Sequence, residues 1–232
     1  MLAFWERIIL PLLQSFGVKR IVEIGAEHGL NTSNLLQYCR AVNGELFVID
    51  PAPRFDILEY KRHFHKEFHM LVDYSLEVLP NLNQYDCILI DGDHNWYTVY
   101  HELKLVELMA QQQARFPLVF LHDTQWPYGR RDMYYFPESI PAGFVHPYAK
   151  MGMVPGILQL VPHGGANNML NNALYEGGER NGVLTAVEDF LKQTPWHVSF
   201  HQALSNSGLG IITPKHESID AHIQAVLTNS GL

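Results

Sequence analysis

Apolar runs of strand length alternate with helical patterns between residues 20 and 123, and this alternation constrains the fold more than any other feature. It is typical of a parallel sheet whose two faces are covered by helices. Because crossovers between parallel strands are right-handed, the pattern predicts a doubly wound α/β sheet. The predicted strands are residues 20–25, 45–50, 68–73, 85–91 and 117–123, and the predicted helices are 31–42, 55–64, 75–80 and 97–111.

The alternation stops after Asp123, and residues 125–182 are rich in proline, glycine, asparagine and aromatic residues. A segment this long with weak periodicity is usually a functional loop or a lid. A helical pattern returns at 183–193, and two strand patterns follow at 197–204 and 209–214, which predict an antiparallel hairpin at one edge of the sheet. The 232 residues are therefore predicted to form a single domain, 1–232, with a long insertion after the fifth strand.

The charge of the chain limits its partners. Its 24 acidic and 16 basic residues give a formal net charge of −8. It has no long basic stripe, and Arg130 and Arg131 are the only close pair of arginines. This balance disfavours a nucleic-acid or anionic-membrane partner, so we expect a small molecule as the partner.

Residues 1–17, MLAFWERIILPLLQSFG, are apolar but carry two charged residues in their middle. They lack the basic start and uninterrupted apolar core of a signal peptide, and are too short and too charged to span a bilayer. We expect an amphipathic helix that packs on the domain. Cys39 and Cys87 lie in a predicted helix and a predicted strand, as is typical of buried thiols in a reducing compartment. We therefore expect a cytoplasmic protein.

The turn after the first predicted strand, EIGAEHGLNTS, is a candidate ligand-binding element. Ligands of open α/β sheets bind beyond the carboxyl ends of the strands. Gly25 and Gly29 let backbone N–H groups approach a ligand closely, and the following helix, with Asn31 or Thr32 as its predicted N-cap, favours partial negative charge. The spacing G-x-x-x-G differs from the G-x-G-x-x-G of a dinucleotide-binding fingerprint, which weakens a nicotinamide-cofactor interpretation. A purely structural turn is the alternative.

The next two strands also end in polar residues. Asp50 follows the second predicted strand, where a carboxylate can accept hydrogen bonds from both hydroxyls of a ribose. Asp73, Tyr74 and Ser75 follow the third and are candidates for an adenine pocket.

The segments VEIGAEHGLNT, FVIDP, YSLEVLP and CILIDGDHNWYTVYHEL resemble the successive motifs of class I S-adenosylmethionine-dependent methyltransferases. They are most similar to the branch that contains macrocin-type sugar O-methyltransferases and cephalosporin-hydroxylase-like proteins. The resemblance covers roughly residues 18–125 and implies a Rossmann-like, mostly parallel sheet of seven strands that ends in the predicted hairpin. It implies cofactor contacts, with Asp50 at the ribose, from Glu23, Gly25, Ala26, Gly29, Asn31, Asp50, Tyr74, Ser75 and Asp91.

Methyl transfer from a sulfonium group requires an aligned nucleophile, and a neutral alcohol needs a base or a cation that lowers its pKa. The resemblance implies a metal-binding carboxylate at Asp91 and a base at His94. It also implies metal ligands after the fifth strand, where Asp123 stands beside His122 and Thr124. Carboxylates suit Mg²⁺, which prefers oxygen donors.

Each of these residues has a structural alternative. Asp93 is a candidate N-cap for the helix that begins near Trp96, and His94 is a candidate supporting residue rather than the base. His122 is as well explained by packing as by metal binding. The histidines of residues 65–69, HKEFH, are better explained as a solvated basic patch than as a zinc site.

The insertion begins directly after Asp123 and so is expected to cover the site. Aromatic rings and arginines suit stacking on a sugar together with a charge clamp. The predicted acceptor-binding residues are Trp96, Trp126, Tyr128, Arg130 and Arg131. Arg180 and Asn181 are further residues that could face the site. The alternative is that the insertion packs between copies of the chain in a homo-oligomer.

The sequence thus predicts an S-adenosylmethionine-dependent O-methyltransferase that acts on a hydroxyl of a saccharide or glycosylated small molecule, with His94 and Asp91 as catalytic residues. Mg²⁺ is the expected metal, on Asp91, Asp123 and His122. The alternatives are a metal-independent methyltransferase with another acceptor and a non-catalytic cofactor-binding module, because one fold hosts many functions.

Overall fold

Ten strands and seven α-helices make up the computed structural model, which describes all 232 residues. The strands are β1 (Arg20–Ile24), β2 (Glu45–Ile49), β3 (Phe68–Leu71), β4 (Cys87–Ile90), β5 (Leu118–His122), β6 (Met133–Tyr134), β7 (Tyr148–Lys150), β8 (Asn171–Ala173), β9 (Val198–Ala203) and β10 (Leu209–Pro214). The helices are α1 (Leu10–Ser15), α2 (Leu30–Val42), α3 (Ile57–His63), α4 (Ser75–Val78), α5 (Trp96–Gln113), α6 (Val183–Gln193) and α7 (Glu217–Ser230).

Seven strands form the central sheet in the order β3-β2-β1-β4-β5-β10-β9. The first five strands in this order are parallel to one another, and β10 runs antiparallel to both β5 and β9. The predicted doubly wound, mostly parallel sheet with an antiparallel hairpin at one edge is therefore confirmed. The strand order reverses between β1 and β4, which is where ligands of such sheets bind.

Helices cover both faces of the sheet, as expected for strands that are apolar on both sides. On one face, α2, α7 and the N-terminal segment enclose a core of 25 buried residues. On the other face, α5 and α6 enclose a core of 21 buried residues. Cys39 and Cys87 are free thiols within the first core.

The N-terminal segment is helical from Leu2 to Ser15, as a 3₁₀ turn, a π-helical stretch and α1 in succession. Phe4, Ile8 and Leu12 are fully buried against the sheet. The segment is therefore part of the core and not an appendage. None of the helices has the length and apolarity needed to cross a membrane.

Two helix N-caps differ from the predicted ones. Gly29, in the left-handed region at φ 74°, is the N-cap of α2, where Asn31 or Thr32 was predicted. Asn95, and not Asp93, caps α5, because its side chain accepts a hydrogen bond from the Thr98 N–H. Helix α7 was not predicted.

The insertion is more ordered than its weak periodicity indicates, because β6, β8 and β7 form a small antiparallel sheet. The buried carboxylate of Asp132 accepts hydrogen bonds from the backbone N–H groups of Trp96 and Gly182, at 2.7 and 2.6 Å. Asn181 is buried and accepts a hydrogen bond from the Asp132 N–H at 2.7 Å, so it supports the insertion and does not face the site. These bonds tie the insertion to α5 and α6.

The burial of the N-terminal segment leads to a prediction. Leu12→Ala removes a fully buried side chain, and we expect the free energy of unfolding to fall by about 2–5 kcal/mol in chemical denaturation. Gln14→Ala, at an exposed position of the same helix, is the control and should change it by less than about 0.5 kcal/mol. Equal stabilities of the two variants would mean that this helix does not support the core.

Candidate active site

A cavity of about 1,230 Å³ opens at the carboxyl edge of the sheet, beyond β1, β2 and β4. Its volume exceeds the roughly 300–1,000 Å³ of a typical pocket for one small molecule, so it has room for a cofactor and an acceptor together. Gly25, Asp50 and Asp91 belong to three different strand ends and face this one cavity. The predicted site residues that line it are Gly25, Ala26, Asn31, Asp50, Tyr74, Ser75, Asp91, His94 and His122, together with Asp93.

The glycine turn lies directly against the end of β4. Gly25 has φ 85°, and a Cβ atom at this position would clash with the carbonyl oxygen of Asp91. A side chain is therefore excluded both by the backbone conformation and by the available space. Gly29 packs against Phe55 and Tyr60, outside the cavity, so its predicted cofactor contact is not supported.

The carboxylate of Asp50 holds the glycine turn in place. Its Oδ2 atom accepts hydrogen bonds from the N–H groups of Ala26 and Glu27, both at 2.9 Å, and its Oδ1 atom accepts one from Ala52 at 2.8 Å. Hydrogen bonds to a charged acceptor are about twice as strong as neutral ones. Asp50 therefore organises the turn as well as facing the cavity, a role that the sequence pattern did not indicate.

Glu23 lies beneath the cavity and not on its wall. It is only 1% exposed, and its Oε1 atom accepts a hydrogen bond from the Asn31 side chain at 2.7 Å. Burial raises the pKa of Glu23 to about 7, because a charged carboxylate is poorly solvated there. Its predicted cofactor contact is thus corrected to an indirect one, through Asn31, which does line the cavity.

Two carboxylates and two imidazoles meet where β4 and β5 end. His122 Nδ1 lies 3.1 Å from Asp91 Oδ1 and 2.8 Å from Asp123 Oδ2. His94 Nε2 lies 3.0 Å from Asp123 Oδ2, and its ring stacks on Tyr128 with centroids 5.3 Å apart. We call Asp91, His94, His122 and Asp123 the Asp–His cluster.

Opposite charges stabilise one another in the Asp–His cluster. Burial lowers the pKa of His94, but the nearby charge of Asp123 outweighs it and raises this pKa to about 10. Burial likewise lowers the pKa of His122, but hydrogen bonds to Asp123 and Asp91 raise it to about 9. Burial raises the pKa of both carboxyls, but the two histidines hold these pKa values well below their usual range. Near neutral pH and without a bound cation, the cluster therefore contains two carboxylates and two imidazolium groups. The buried Met1 ammonium group also pairs with Asp91, 3.1 Å from its Oδ2 atom.

The donor atoms of Asp91, His122 and Asp123 lie within 4.8 Å of one another, close enough to share one metal ion. The two carboxylates fit the expected Mg²⁺, which prefers oxygen donors. The imidazole nitrogen of His122 does not fit this preference, since imidazole suits transition metals better. Thr124, the alternative neighbour of Asp123, is fully buried, and its hydroxyl lies close to Gly208 and outside the cavity lining.

The insertion contributes a different set of cavity residues from the one predicted. The insertion side chains that reach the cavity follow the predicted Trp126, Tyr128, Arg130 and Arg131 in the sequence. Tyr135 is 48% exposed, and Phe136 meets Tyr74 edge to face at 5.9 Å. The insertion residues on the cavity wall are Tyr135, Phe136, Ser139, Pro141 and Leu170.

None of the five predicted acceptor-binding residues lines the cavity; four lie outside its lining, and the fifth, Tyr128, contacts the site only through His94. Trp96 is buried between Tyr100 and Phe144, and its indole N–H donates to Asp189. The other three lie outside the cavity lining as well.

Arg131 is fully buried and donates to the carbonyl oxygens of Ala173 and Leu158, while Arg130 pairs with Glu188. Trp126, 36% exposed, is not part of the cavity wall.

Two further predicted residues lie close to the site without lining it. Tyr128 is 3% exposed and contacts the site only through the His94 ring. Arg180 lies over the rings of Trp96 and Phe144, at 5.4 and 5.3 Å, and also outside the cavity lining. The aromatic and charged residues of the insertion thus mostly hold it together.

The raised pKa of Glu23 leads to a prediction about stability. Because the folded state favours the protonated form, Glu23 loses its stabilising contribution as the pH rises from its ordinary pKa of 4.5 through about 7. Glu23→Gln keeps an acceptor for Asn31 and removes the titration. We expect this variant to gain up to about 3 kcal/mol relative to the unmodified chain between pH 5 and pH 8, in urea unfolding. If the free energies of unfolding of the two proteins change with pH by the same amount, this account is wrong.

Comparisons with known proteins agree with the geometry. Residues 22–124 match the family model described as a methyltransferase domain. A search of curated proteins finds no match. The fold is similar to the SAH-bound methyltransferase PaMTH1 of Podospora anserina, at 14% identity over 90% of this chain and 76% of that one, with a TM-score of 0.53.

Weaker likenesses exist to a candidate caffeoyl-CoA O-methyltransferase from Staphylococcus aureus, at 16% identity over 89% of this chain and 81% of that one, with a TM-score of 0.49. The fold is also similar to that of 1,6-didemethyltoxoflavin-N1-methyltransferase of Burkholderia thailandensis, at 10% identity over 92% of this chain and 78% of that one, with a TM-score of 0.46. At such identities the structural likeness concerns the fold alone. The segment that matches the methyltransferase-domain model contains the glycine turn, Asp50 and the whole Asp–His cluster, and the chain shares the Rossmann-like fold of the Podospora anserina methyltransferase.

Proposed function

We propose that the protein is an S-adenosylmethionine-dependent O-methyltransferase that acts on a hydroxyl of a saccharide or glycosylated small molecule. The observation that carries this proposal is the single cavity onto which Gly25, Asp50 and His94 all open. One part of the cavity offers a backbone turn and a carboxylate suited to a nucleoside, and the adjacent part offers ionisable groups suited to proton transfer. The SAH-bound state of the Podospora anserina methyltransferase, which shares the fold, supports the choice of cofactor.

The cofactor lies along the ends of β1, β2 and β3 in this proposal. Its methionine part contacts the glycine turn and Asn31, its ribose contacts Asp50, and its adenine contacts Tyr74 and Ser75. An ionised carboxylate has about four acceptor positions. Three backbone N–H groups already bond to Asp50, so one position is left for a ribose hydroxyl, in an orientation fixed before binding.

Transfer is an in-line displacement in which the acceptor oxygen forms a bond to the methyl carbon. Bound S-adenosylmethionine would supply the methyl group and keep the electron pair of the broken carbon–sulfur bond on a thioether sulfur, while His94 would accept the hydroxyl proton. His94 is the proposed base because both of its ring nitrogens are buried without a hydrogen-bond partner beside the cavity. Tyr128 fixes the plane of the ring by stacking on it.

His94 accepts a proton only when it is neutral, whereas Asp123 and Asp91 favour its protonated form. A divalent cation on the two carboxylates would offset their charge, and it would also lower the pKa of an acceptor hydroxyl. Metal-independent transfer is the second candidate, because the two imidazolium groups already neutralise the carboxylates of the Asp–His cluster.

A ring-shaped acceptor is supported by the aromatic residues at the mouth of the cavity. Tyr74, Tyr97, Tyr135 and Phe136 contribute to its lining. Aromatic faces pack against the apolar face of a sugar ring, and the tyrosine hydroxyls can bond its polar edge. A methyl-transfer assay with a panel of simple and aryl glycosides tests the acceptor class. Transfer to simple catechols but to none of the glycosides would contradict the saccharide assignment.

The base assignment gives a kinetic prediction. His94→Ala should leave the affinity for S-adenosylhomocysteine nearly unchanged in calorimetry, because the imidazole lies on the acceptor side of the proposed cofactor position. Turnover should fall by about 10²–10⁴-fold, the usual contribution of a positioned base. His63→Ala, at an exposed histidine on α3, is the matched control and should retain full turnover. Unchanged turnover in His94→Ala would rule out this role.

Asp50→Ala should show the opposite pattern. Loss of the carboxylate removes the proposed ribose acceptor and frees the N–H groups of Ala26 and Glu27 that order the turn. We expect the affinity for S-adenosylhomocysteine to fall by about tenfold or more, which corresponds to one lost hydrogen bond to a charged group. If calorimetry shows unaltered affinity in a folded variant, Asp50 does not hold the cofactor.

A further inference from the structure

The donor atoms of the Asp–His cluster have the spacing of ligands around one metal ion. His122 Nδ1 lies 3.1 Å from Asp91 Oδ1 and 2.8 Å from Asp123 Oδ2. Neighbouring ligands of a six-coordinate cation with bonds of about 2.1 Å are about 3 Å apart. One oxygen from each carboxylate and one imidazole nitrogen therefore stand at distances that a single cation can bridge.

A fourth group points to the same place. His94 Nε2 lies 3.0 Å from Asp123 Oδ2 and 3.7 Å from Asp91 Oδ1, yet both His94 ring nitrogens are buried without a hydrogen-bond partner. The 3.0 Å contact of His94 Nε2 with Asp123 is an ion pair that lacks hydrogen-bond geometry, and a ligand is one way to satisfy a buried ring nitrogen of this kind. The available donor set is thus two oxygens and one nitrogen, with a second nitrogen within reach.

The chemistry of this set differs from that of an all-oxygen magnesium site. Mg²⁺ binds hard oxygen ligands and keeps several waters, whereas imidazole suits first-row transition metals. His122 occupies the position next to Asp123 where the resemblance implies an acidic or amide ligand. The exchange of an oxygen for a nitrogen at this position should change which cation binds.

We propose that Asp91, His122 and Asp123 form a site that selects a divalent first-row transition metal, such as Mn²⁺ or Co²⁺, over Mg²⁺. The proposal rests on the proposed function for the role of the cation in methyl transfer. Cation binding itself can be measured without cofactor or acceptor. Loss of the metal site and loss of the methyltransferase activity are therefore separate results.

Calorimetric titration of the metal-free full chain with CoCl₂, MnCl₂ and MgCl₂ tests this selectivity. We expect one Co²⁺ per chain, bound more than about tenfold tighter than Mg²⁺. The visible absorption bands of bound Co²⁺ give a second readout that does not depend on activity. Equal affinities for Co²⁺ and Mg²⁺, or no binding of any of the three cations, would overturn the proposal. Intact binding of S-adenosylhomocysteine in the same sample would leave the proposed function standing.

Substitution of the nitrogen ligand identifies the site. His122→Asp leaves only oxygen ligands at the site and should weaken Co²⁺ binding by about tenfold or more. The ratio of the Co²⁺ affinity to the Mg²⁺ affinity should therefore fall. The double variant His63→Ala/His65→Ala removes two exposed histidines near the HKEFH segment and should leave Co²⁺ binding unchanged.

If Co²⁺ affinity falls in the double variant and not in His122→Asp, the metal binds at the protein surface and the proposal is wrong. Should His122→Asp not fold, pulsed electron paramagnetic resonance of Mn²⁺ in the unmodified chain replaces it. Coupling to an imidazole nitrogen is the expected result, and its absence would contradict nitrogen ligation.

Discussion

Asp91 and Asp123 bring two negative charges to the ends of neighbouring parallel strands, β4 and β5, where the Asp123 side chain is 9% exposed and the Asp91 side chain 24% exposed. Two like charges so close and so little solvated repel each other unless opposite charges lie between them. His94 and His122 provide those opposite charges, one from the loop after β4 and one from the last residue of β5. The proposed chemistry depends on this compensation, because it lets the carboxylates remain ionised beside a cavity that must hold a cationic cofactor.

The cofactor half of the cavity depends on a second constraint, the close approach of β1 and β4. Gly25 allows the turn to lie against the carbonyl of Asp91, and Asp50 then fixes the turn through backbone N–H groups. The same contact that shapes the turn therefore sets its distance from the Asp–His cluster. The backbone contact between Gly25 and Asp91 links the cofactor half of the cavity to the Asp–His cluster. A substitution at Gly25 would therefore disturb both cofactor binding and the proposed proton transfer.

The sequence predicted the parallel sheet and its reversal point because apolar strands buried on both faces leave a strong local pattern. It also predicted that Asp50, Asp91 and His94 lie at the ligand-binding edge of the sheet, because their positions follow from the ends of the predicted strands. The three-stranded sheet of the insertion was not predicted, because strands of two or three residues depend on distant partners and on the buried carboxylate of Asp132. Helix α7 did carry a signal, the apolar positions Ile219, Ile223 and Leu227, which the strand-based interpretation overlooked.

Charged residues were the least predictable part of the site. Arg131 was expected at the acceptor because a guanidinium suits a charge clamp, yet it is buried and donates to backbone carbonyls within the insertion. The ion pairs of His122 with two carboxylates arise from the register of β4 against β5, and a single sequence does not reveal that register.

The most direct test of the central claim is a crystal structure of the complex with S-adenosylhomocysteine. The account predicts one ribose hydroxyl at the Asp50 carboxylate and a cofactor sulfur that faces His94 across the free volume of the cavity. A nucleoside bound at another surface, or one whose sulfur points away from the Asp–His cluster, would contradict it.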